Sequence, residues 1–425
     1  MSRKVFRILF VFLCVMFALA SCSDTENVGN PDAVTVDGLV YAPFNEEKSE
    51  YELIKLNDGR EELEVPAEIA GKPVVSIGSS ALYNNTTLRK VILPDSIVKI
   101  DDYAFDNCAS LEEIVFSPNV ESIGFNAFSD CVKLKEIKLP ESLKTIEASA
   151  FARCEALEKI YVNPHLETIE KDSFLNCHSI SEIHVTDIAS WCEISFENIE
   201  ANPLSSAERL YISEELVENL TITGVETISK YAFFGFSGIK TLTLGEGVSV
   251  VDNSAFSSCP SLTRLTLSDS VKKLGTSAFN SCTSLEYVVI GKGVAYFSGL
   301  AFYGCESIYA VEITDLAAWC EAFFYTDSTG TANPIIQADA IIVNGKEINE
   351  LVIPNGVKKI STLAFIGFKG TKVTLPPSLR VIEDTAFYMC DNLTELHFNG
   401  TIAELSLLSI GSNNFAKINK ISYEK

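Results

Sequence analysis

The chain has 425 residues, of which 47% are hydrophobic, and its formal net charge is −24 at pH 7. This acidity, together with the absence of a Lys/Arg-rich run, disfavours binding to the phosphate backbone of nucleic acids. The hydrophobic content is enough for the chain to bury a large core.

The first 21 residues have the composition of an export signal. Three basic residues and no acidic ones precede an almost wholly apolar run, 8–20, which is short for a bilayer span. The run ends in Leu19-Ala20-Ser21-Cys22, which resembles a bacterial lipobox. That resemblance implies cleavage before Cys22 and acylation of the new N-terminus. The alternative is an ordinary signal peptide with an incidental cysteine.

Residues 22–33 are polar and are predicted to form a flexible tether behind the acylated Cys22. Asp24 and Glu26 resemble the surface-export signal of Bacteroides-type lipoproteins. We therefore expect an exported, outer-membrane lipoprotein that is exposed at the cell surface and attached to the membrane by its lipid alone. Residues 34–74 contain three short strand-like runs and are predicted to form an N-terminal β cap.

A large apolar residue then recurs every 23 residues, which is the period of a solenoid, a fold in which each turn buries its apolar face against its neighbours. The positions with this spacing are Leu82, Phe105, Phe128, Phe151 and Phe174, and then Phe233, Phe256, Phe279 and Phe302.

One turn, residues 134–154, shows what each repeat contributes. Alternation predicts a short strand with Ile137 and Leu139 inward and Lys138 outward, which Pro140 ends because it cannot donate to a continuing ladder. An apolar pair follows. Ala150-Phe151-x-x-Cys154 then places the aromatic ring and the thiol on one side of a short helical turn. Successive strands would align in a parallel sheet on one face, with right-handed coiling.

The pattern Leu-x-x-Ile-x-Leu-Pro-x-Ser-Leu-x-x-Ile-x-x-x-Ala-Phe-x-x-Cys resembles the bacterial BspA-like (Treponema pallidum-type) leucine-rich repeat, and it covers residues 75–400. The predicted fold is an α/β solenoid, a right-handed leucine-rich repeat array of about ten to eleven turns. It would have a parallel sheet on one face, short helical turns opposite, and caps at both ends, the C-terminal one at 401–425.

Two inserts, 187–212 and 315–343, interrupt the spacing and divide the solenoid into two sub-arrays. Both contain a Trp-Cys-Glu motif, with Trp191 in the first and Trp319 in the second. Each tryptophan is either a binding aromatic or a plug that packs a longer turn against the stack. Its apolar surroundings favour the plug.

The cysteines three residues after the repeating phenylalanines are predicted to be buried, reduced packing residues, since Phe replaces Cys at two equivalent positions. Cys177 is followed by His178, with His184 nearby, and a Cys–His pair can form a nucleophile. The register, however, predicts Cys177 inward and His184 outward. We therefore expect no enzyme, no metal site, no cofactor and no small-molecule substrate.

The predicted working surface is an outward column on the strand face, because it combines apolar, aromatic and charged side chains as protein-binding surfaces do. Alternatively, its β-branched residues merely favour strands. The column consists of Ile92, Val115, Lys138, Tyr161 and His184.

The leading functional hypothesis is a non-catalytic cell-surface lipoprotein whose solenoid binds a protein partner on a host or bacterial surface. The adhesion role is what the BspA-like resemblance implies. The alternative is a glycan-recognition accessory protein in nutrient capture, for which Tyr161, Tyr287 and Tyr309 supply some aromatic residues, though in no continuous row. A passive spacer is the third possibility. The oligomeric state is left open.

Overall fold

The structure, a computed structural model, describes residues 32–327 and 330–424. The predicted signal, 1–21, and the predicted lipid-attachment residue Cys22 lie outside these residues. Within them, the chain forms a solenoid whose coils stack through parallel strands on two faces. No helix in these residues is long and apolar enough to cross a membrane.

Both faces break at the same two places along the chain, which divides the solenoid into three blocks, 32–217, 218–348 and 349–424. On the first face of the first block the strands form two separate sheets, one over residues 62–115 and one over residues 136–216. On the first face, the first block has the strands Glu62–Glu64, Lys90–Ile92 and Glu113–Val115, followed by Glu136–Lys138, Lys159–Val162, Glu182–Val185, Arg209–Ile212 and the antiparallel Glu215–Leu216. On its second face lie Val34–Val36, Leu39–Pro43, Tyr51–Leu56, Lys72–Ile77 with Glu68–Ile69, Lys99–Ile100, Ser122–Ile123, Thr145–Ile146, Thr168–Ile169 and Ser195–Phe196.

The second and third blocks repeat this arrangement. The first face of the second block comprises Asn219–Ile222, Thr241–Leu244, Arg264–Leu267, Tyr287–Ile290, Ala310–Ile313, Ala340–Val343 and Lys346–Glu347, and its second face Thr227–Ile228, Val250–Val251, Lys273–Leu274, Tyr296–Phe297 and Phe323–Phe324, with a hairpin Thr326–Asp327/Gly330–Thr331. The third block has Glu350–Val352, Lys372–Leu375, Glu395–Phe398 and Lys420–Tyr423 on the first face, and Lys359–Ile360, Val381–Ile382 and Ser409–Ile410 on the second.

The repeat period sets the register of the sheets. Lys138 pairs with Tyr161 and Ile160 with Ile183, so residues 23 apart lie side by side on neighbouring coils. Ile137 is fully buried, whereas Lys138 is exposed, as the alternation predicts. The leucine-rich repeat solenoid predicted from the spacing is confirmed.

The repeating phenylalanines form continuous stacks in the core. Phe105 and Phe128 have ring centroids 4.8 Å apart, and Phe128 and Phe151 lie 5.2 Å apart, with nearly parallel planes. The cysteines behind them are buried free thiols, as predicted. Each thiol in the ladder donates to a main-chain carbonyl, for example Cys131 Sγ to Phe105 O at 3.3 Å. Burial raises the pKa of the Cys108 thiol to about 12, which makes it unreactive.

The corner that carries Phe and Cys is not the predicted helical turn. It consists of consecutive turns with a residue in the left-handed region at every fourth position, such as Tyr103 (φ 59°) and Asn107 (φ 58°). The N–H of Phe105 donates to Ala127 O of the next coil at 2.7 Å, whereas that of Asp106 bonds within its own turn to Tyr103 O. Because alternate backbone groups are satisfied between coils, a helix is not needed there.

The prediction of one sheet and about ten to eleven turns is also wrong. The solenoid has about 16 turns and a second parallel sheet opposite the first. The predicted N-terminal cap, 34–74, supplies strands that join both sheets, and Glu62–Glu64 pairs directly with Lys90–Ile92. The predicted C-terminal cap, 401–425, adds one further coil, since Lys420–Tyr423 and Ser409–Ile410 continue the two sheets. The inserts form coils too, because their strands keep the register.

Short helices mark the coils that contain the inserts. These are the α-helices Ile188–Glu193 and Leu316–Glu321 and the 3₁₀ helices Ile199–Ala201, Pro203–Ser205 and Pro334–Ile336; a third α-helix, Ile402–Leu405, lies in the last coil. Trp191 and Trp319 are 1% and 2% exposed, so neither is a binding aromatic. Trp191 Nε1 donates to Ala232 O at 2.9 Å, and Trp319 Nε1 to Ala364 O at 2.8 Å. Each tryptophan thus forms a hydrogen bond between its block and the next.

Candidate functional site

The structure places the five predicted column residues on the first face in two groups. Ile92 pairs with Val115, and Lys138, Tyr161 and His184 pair in succession on the following coils. The hydrogen-bonded ladder is interrupted between Val115 and Lys138, which belong to different sheets. Val115 is 42% exposed, and Ile92 is half-buried.

The second group continues to a residue that the sequence analysis did not identify. Tyr211 pairs with His184 on the next coil, and the imidazole lies between the two tyrosine rings. The ring centroids of Tyr161 and His184 are 4.3 Å apart, and those of His184 and Tyr211 are 4.5 Å apart. Lys138 Nζ lies 5.1 Å from the centre of the Tyr161 ring, within the range of a cation–π contact. We call Lys138, Tyr161, His184 and Tyr211 the aromatic column.

A cluster of charged side chains borders the aromatic column. Glu182, which is only 8% exposed, forms ion pairs with Lys159 Nζ and Arg209 Nη2, each at an N···O distance of 3.0 Å. His184 Nε2 lies 3.4 Å from the same carboxylate. Burial opposes ionisation of Glu182, but Lys159, His184 and Arg209 together hold the pKa of its carboxyl below the usual range. The carboxylate therefore stays charged and ties three coils together.

The imidazole of His184 is packed between the two tyrosine rings, and its two nitrogens differ in their surroundings. Nδ1 has no hydrogen-bond partner among the described residues, since Glu214 Oε2, at the turn of the hairpin that closes the first block, lies 3.6 Å away. Ser213 and Glu214 both have positive φ, 48° and 69°, as the tight two-residue hairpin requires. His184 thus contacts Tyr161, Tyr211 and Glu182.

No Cys–His pair forms at the position where the sequence offers one. Cys177 is 1% exposed, and its Sγ donates to Phe151 O at 3.1 Å inside the core. His184 lies on the outer side of the wall, in the aromatic column. Among the residues that the structure describes, no group of three or more His, Cys, Asp or Glu side chains could hold a metal ion.

The same outward position in the second block has a different character. It is occupied by Thr243, Thr266, Val289 and Glu312. Tyr287 lies in the adjacent column, where its hydroxyl donates to Glu312 at 2.9 Å and the Arg264 guanidinium lies 4.2 Å from its ring.

Tyr309 contacts Tyr287 edge-on, with ring centroids 6.0 Å apart. These two tyrosines lie in the second block and Tyr161 in the first. The three aromatic residues considered for glycan binding therefore form no common platform.

A protein-family model described as "BspA type Leucine rich repeat region (6 copies)" matches residues 75–202, 209–329 and 341–424. A leucine-rich repeat protein from Bacteroides ovatus is similar in structure, with a TM-score of 0.51 and 20% identity over 92% of this chain and 100% of that one. A leucine rich cell surface protein from Faecalibacterium prausnitzii aligns with a TM-score of 0.38 and 20% identity over 91% and 99% of the two chains. The T. pallidum leucine rich repeat protein aligns with a TM-score of 0.38 and 21% identity over 54% and 90%. No curated protein sequence matches the chain.

Proposed function

The chain belongs to the BspA-type leucine-rich repeat family, and we propose that it is a surface lipoprotein that binds a protein partner through the aromatic column. The partner lies on a host or bacterial surface, and the interaction serves adhesion. The lipid is attached at Cys22.

The observation that carries this proposal is the packing of the aromatic column. Tyr161 and Tyr211 are half-buried, the His184 side chain between them is only 11% exposed, and the stacked rings are held in place before any partner arrives. Tyrosine rings with few rotatable bonds and fixed neighbours lose little conformational entropy on binding. Protein interfaces draw most of their affinity from such aromatic anchors surrounded by polar groups, and the Glu182 cluster supplies the polar surround.

The geometry favours a protein over a glycan. Sugars stack on the open face of an aromatic ring, but the faces of His184 are covered by Tyr161 and Tyr211 at 4.3 and 4.5 Å. The imidazole of the column therefore has no face free for a sugar. Tyrosine side chains combine an apolar body with a polar hydroxyl, and both suit the apolar side chains and backbone carbonyls of a partner protein.

Binding is tested with the lipid-free chain that starts at Ser23, applied to arrays of extracellular-matrix proteins, bacterial surface proteins and polysaccharides. The double variant Tyr161→Ala/Tyr211→Ala should weaken binding to a protein on the array by at least about tenfold, as expected for central aromatic anchors. The matched control is Thr243→Ala/Val289→Ala, which changes the same outward position in the second block and should leave affinity unchanged. Binding to polysaccharides alone, or protein binding that is indifferent to the Tyr161/Tyr211 pair, would overturn the proposal.

Anchoring is tested separately in cells. A Cys22→Ala form should leave the membrane fraction or remain unprocessed, whereas Cys14→Ala, which alters another cysteine of the same N-terminal region, should stay lipidated. Incorporation of a labelled fatty acid measures the modification directly. Labelling that persists in Cys22→Ala would refute the attachment site.

A further inference from the structure

The outer side of the second face carries three exposed aromatic side chains in the second block. Tyr296, Phe323 and Tyr325 are 46%, 44% and 46% exposed. Tyr296 and Phe323 pair on neighbouring coils, and their ring centroids lie 4.5 Å apart in a stacked arrangement. Tyr325 follows Phe323 in the same coil and lies on the same side of the sheet, because the buried Phe324 separates them. We call Tyr296, Phe323 and Tyr325 the aromatic patch.

The first block builds the same coil without these aromatic residues. In both blocks the second strand of the pair follows a helix with the Trp-Cys-Glu motif, and the strands pair in the same register. The positions of Tyr296, Phe323 and Tyr325 are occupied in the first block by Thr168, Ser195 and Glu197. The coil therefore forms with polar residues at these positions, so the fold does not require the three rings.

The charge around the aromatic patch differs between the blocks as well. Three neighbouring positions, which are Thr145, Glu167 and Glu170 in the first block, are Lys273, Ala295 and Ser298 in the second. With Glu197, the second block lacks three carboxylates at these positions and has one additional ammonium group. Glu321, two residues before Phe323, corresponds to Glu193 and is common to both blocks.

Two lysines lie beside the rings. Lys273 pairs with Tyr296 on the next coil, and Lys272 precedes it. Both lysine side chains are exposed, and Lys272 Nζ donates to a main-chain carbonyl, Asp269 O, at 2.9 Å. The chain as a whole has a net charge of −24, so a surface with aromatic rings and two lysines is a local exception.

We propose that the aromatic patch, together with Lys272 and Lys273, binds an acidic segment of another protein that also carries apolar side chains. Exposed apolar patches with a polar rim mark protein-binding surfaces, and aromatic residues supply most of their affinity. The two ammonium groups select a partner with carboxylates, because complementary charges favour the encounter and like charges oppose it. This surface lies on the face opposite to the aromatic column and does not rest on the proposed function.

The chemistry of the aromatic patch favours a protein segment over a glycan. The facing sides of the Tyr296 and Phe323 rings are closed by their stack. Sugar hydroxyls also need hydrogen-bonding groups around the rings, since a hydroxyl without a partner in a contact is costly. Ala295 and Ser298 offer fewer acceptors than the glutamates of the first block. Rings beside ammonium groups suit apolar side chains that alternate with carboxylates.

The test selects peptides from a random display library on the lipid-free chain that starts at Ser23. Enriched sequences should combine Asp or Glu with aromatic or aliphatic residues, and fluorescence anisotropy then measures the affinity of one selected peptide. Tyr296→Thr/Phe323→Ser should weaken it by at least about tenfold. This variant introduces the residues of the first block, where the same coil folds. The matched control is Tyr303→Thr, which removes a ring that is 53% exposed outside the aromatic patch and should leave the affinity unchanged.

The charges are tested by exchange. Lys272→Glu/Lys273→Glu should weaken binding of the selected peptide by at least about tenfold, because carboxylates then face carboxylates. A peptide in which lysine replaces each acidic residue should bind this variant more tightly than it binds the unmodified chain. A misfolded variant cannot produce that reversal. Added salt should also weaken the original complex, since the charges lie at an exposed surface.

Three results would overturn the proposal. These are a library that yields no peptide dependent on Tyr296 and Phe323, enriched peptides without acidic residues, and polygalacturonate that binds the unmodified chain but not Tyr296→Thr/Phe323→Ser. Tyr161→Ala/Tyr211→Ala should leave the affinity of the selected peptide unchanged. A failure of the aromatic patch is therefore distinguishable from a failure of the proposed function.

Discussion

Replacing Asn202 by alanine should loosen the joint between the first and second blocks. The Asn202 side chain is 1% exposed and makes three hydrogen bonds. Its Oδ1 accepts from Leu204 N at 2.9 Å, and its Nδ2 donates to Tyr231 O at 2.7 Å and to Ala232 O at 3.0 Å. The first of these bonds caps a 3₁₀ helix, and the other two cross to the next block.

The size of the effect follows from the groups that the substitution leaves behind. Ala232 O keeps its bond from Trp191 Nε1, and Tyr231 O keeps its bond from Phe234 N at 2.9 Å. The N–H of Leu204 loses its acceptor in a buried site, and one such unsatisfied group costs roughly 1–3 kcal/mol. Water that enters the space of the removed amide would restore part of this loss, so we expect about 1–3 kcal/mol in total. In a repeat protein this loss falls on one interface between neighbours and should separate the unfolding of the two blocks.

The chain has two tryptophans, Trp191 and Trp319, one at each joint. Urea denaturation followed by fluorescence in a Trp319→Phe background therefore reports on the first joint, and a Trp191→Phe background reports on the second. Asn202→Ala should shift the first transition to lower urea and leave the second unchanged. Asn253→Ala is the matched control, because its side chain accepts from Thr276 N at an exposed position where water can replace it.

A shift below about 0.5 kcal/mol for Asn202→Ala, no larger than expected for an ordinary surface substitution, would contradict this account of the joint. So would an equal shift at both tryptophans, since that would mean that the blocks unfold as one unit. The equivalent change Asn333→Ala provides a repeat of the test, because Asn333 Nδ2 donates to Leu363 O at 2.8 Å and its Oδ1 accepts from Ile335 N at 2.9 Å.

Two further predictions concern titratable groups. Burial, followed by the charge of Asp130, raises the pKa of the Asp106 carboxyl to about 6. The protonated carboxyl therefore stabilises the folded state fully below pH 3.8, and this stabilisation is lost as the pH rises through 6. Asp106→Asn should therefore raise the free energy of unfolding, relative to the unmodified protein, by about 1 kcal/mol more at pH 7 than at pH 4, after allowance for solvent screening. The measurement is urea denaturation at the two pH values, and an equal increase at both would contradict the raised pKa. The ten buried thiols should react with a thiol-specific disulfide reagent at pH 8 only after unfolding in urea, and rapid reaction of the folded protein would show that the cysteine ladder is open to solvent.

The core was predictable from the sequence because one period controls both spacing and burial. A phenylalanine that recurs every 23 residues must lie beside its counterpart in the next coil, and the Phe128 ring indeed stacks on Phe105 and Phe151. The exchange of Cys and Phe at equivalent positions identified the thiols as packing residues for the same reason. In both cases the inference depended only on the repeat.

The corners and the second sheet depend on hydrogen bonds between coils, which no local pattern contains. A phenylalanine and a cysteine three residues apart also fit one face of a helix. The left-handed residues that prevent a helix there are of many types, from Asn107 to Leu300 and Met389. Strands of two residues, such as Thr145–Ile146, are likewise too short to show alternation.

The sequence revealed the aromatic column only where the 23-residue spacing continues. His184 follows Tyr161 by 23 residues, so the column was traced to that point. Tyr211 follows His184 by 27 residues because the insert lengthens the coil, although the strands remain paired in register. A simple count along the sequence therefore stopped one coil short of the second tyrosine.

The insert explains why the proposed binding surface and the joint lie together. One coil carries Tyr211 on its first face and Asn202 with Trp191 in the segment that reaches across to the next block. The polar groups of the joint hold this coil against the next, and the coil in turn holds one tyrosine of the stack against His184. In the interior of a block each coil is held by two equivalent neighbours, whereas the coil of Tyr211 depends on the insert for its contact with the second block. The insert thus joins the first block to the second through its hydrogen bonds, and it also positions Tyr211, the last ring of the aromatic column.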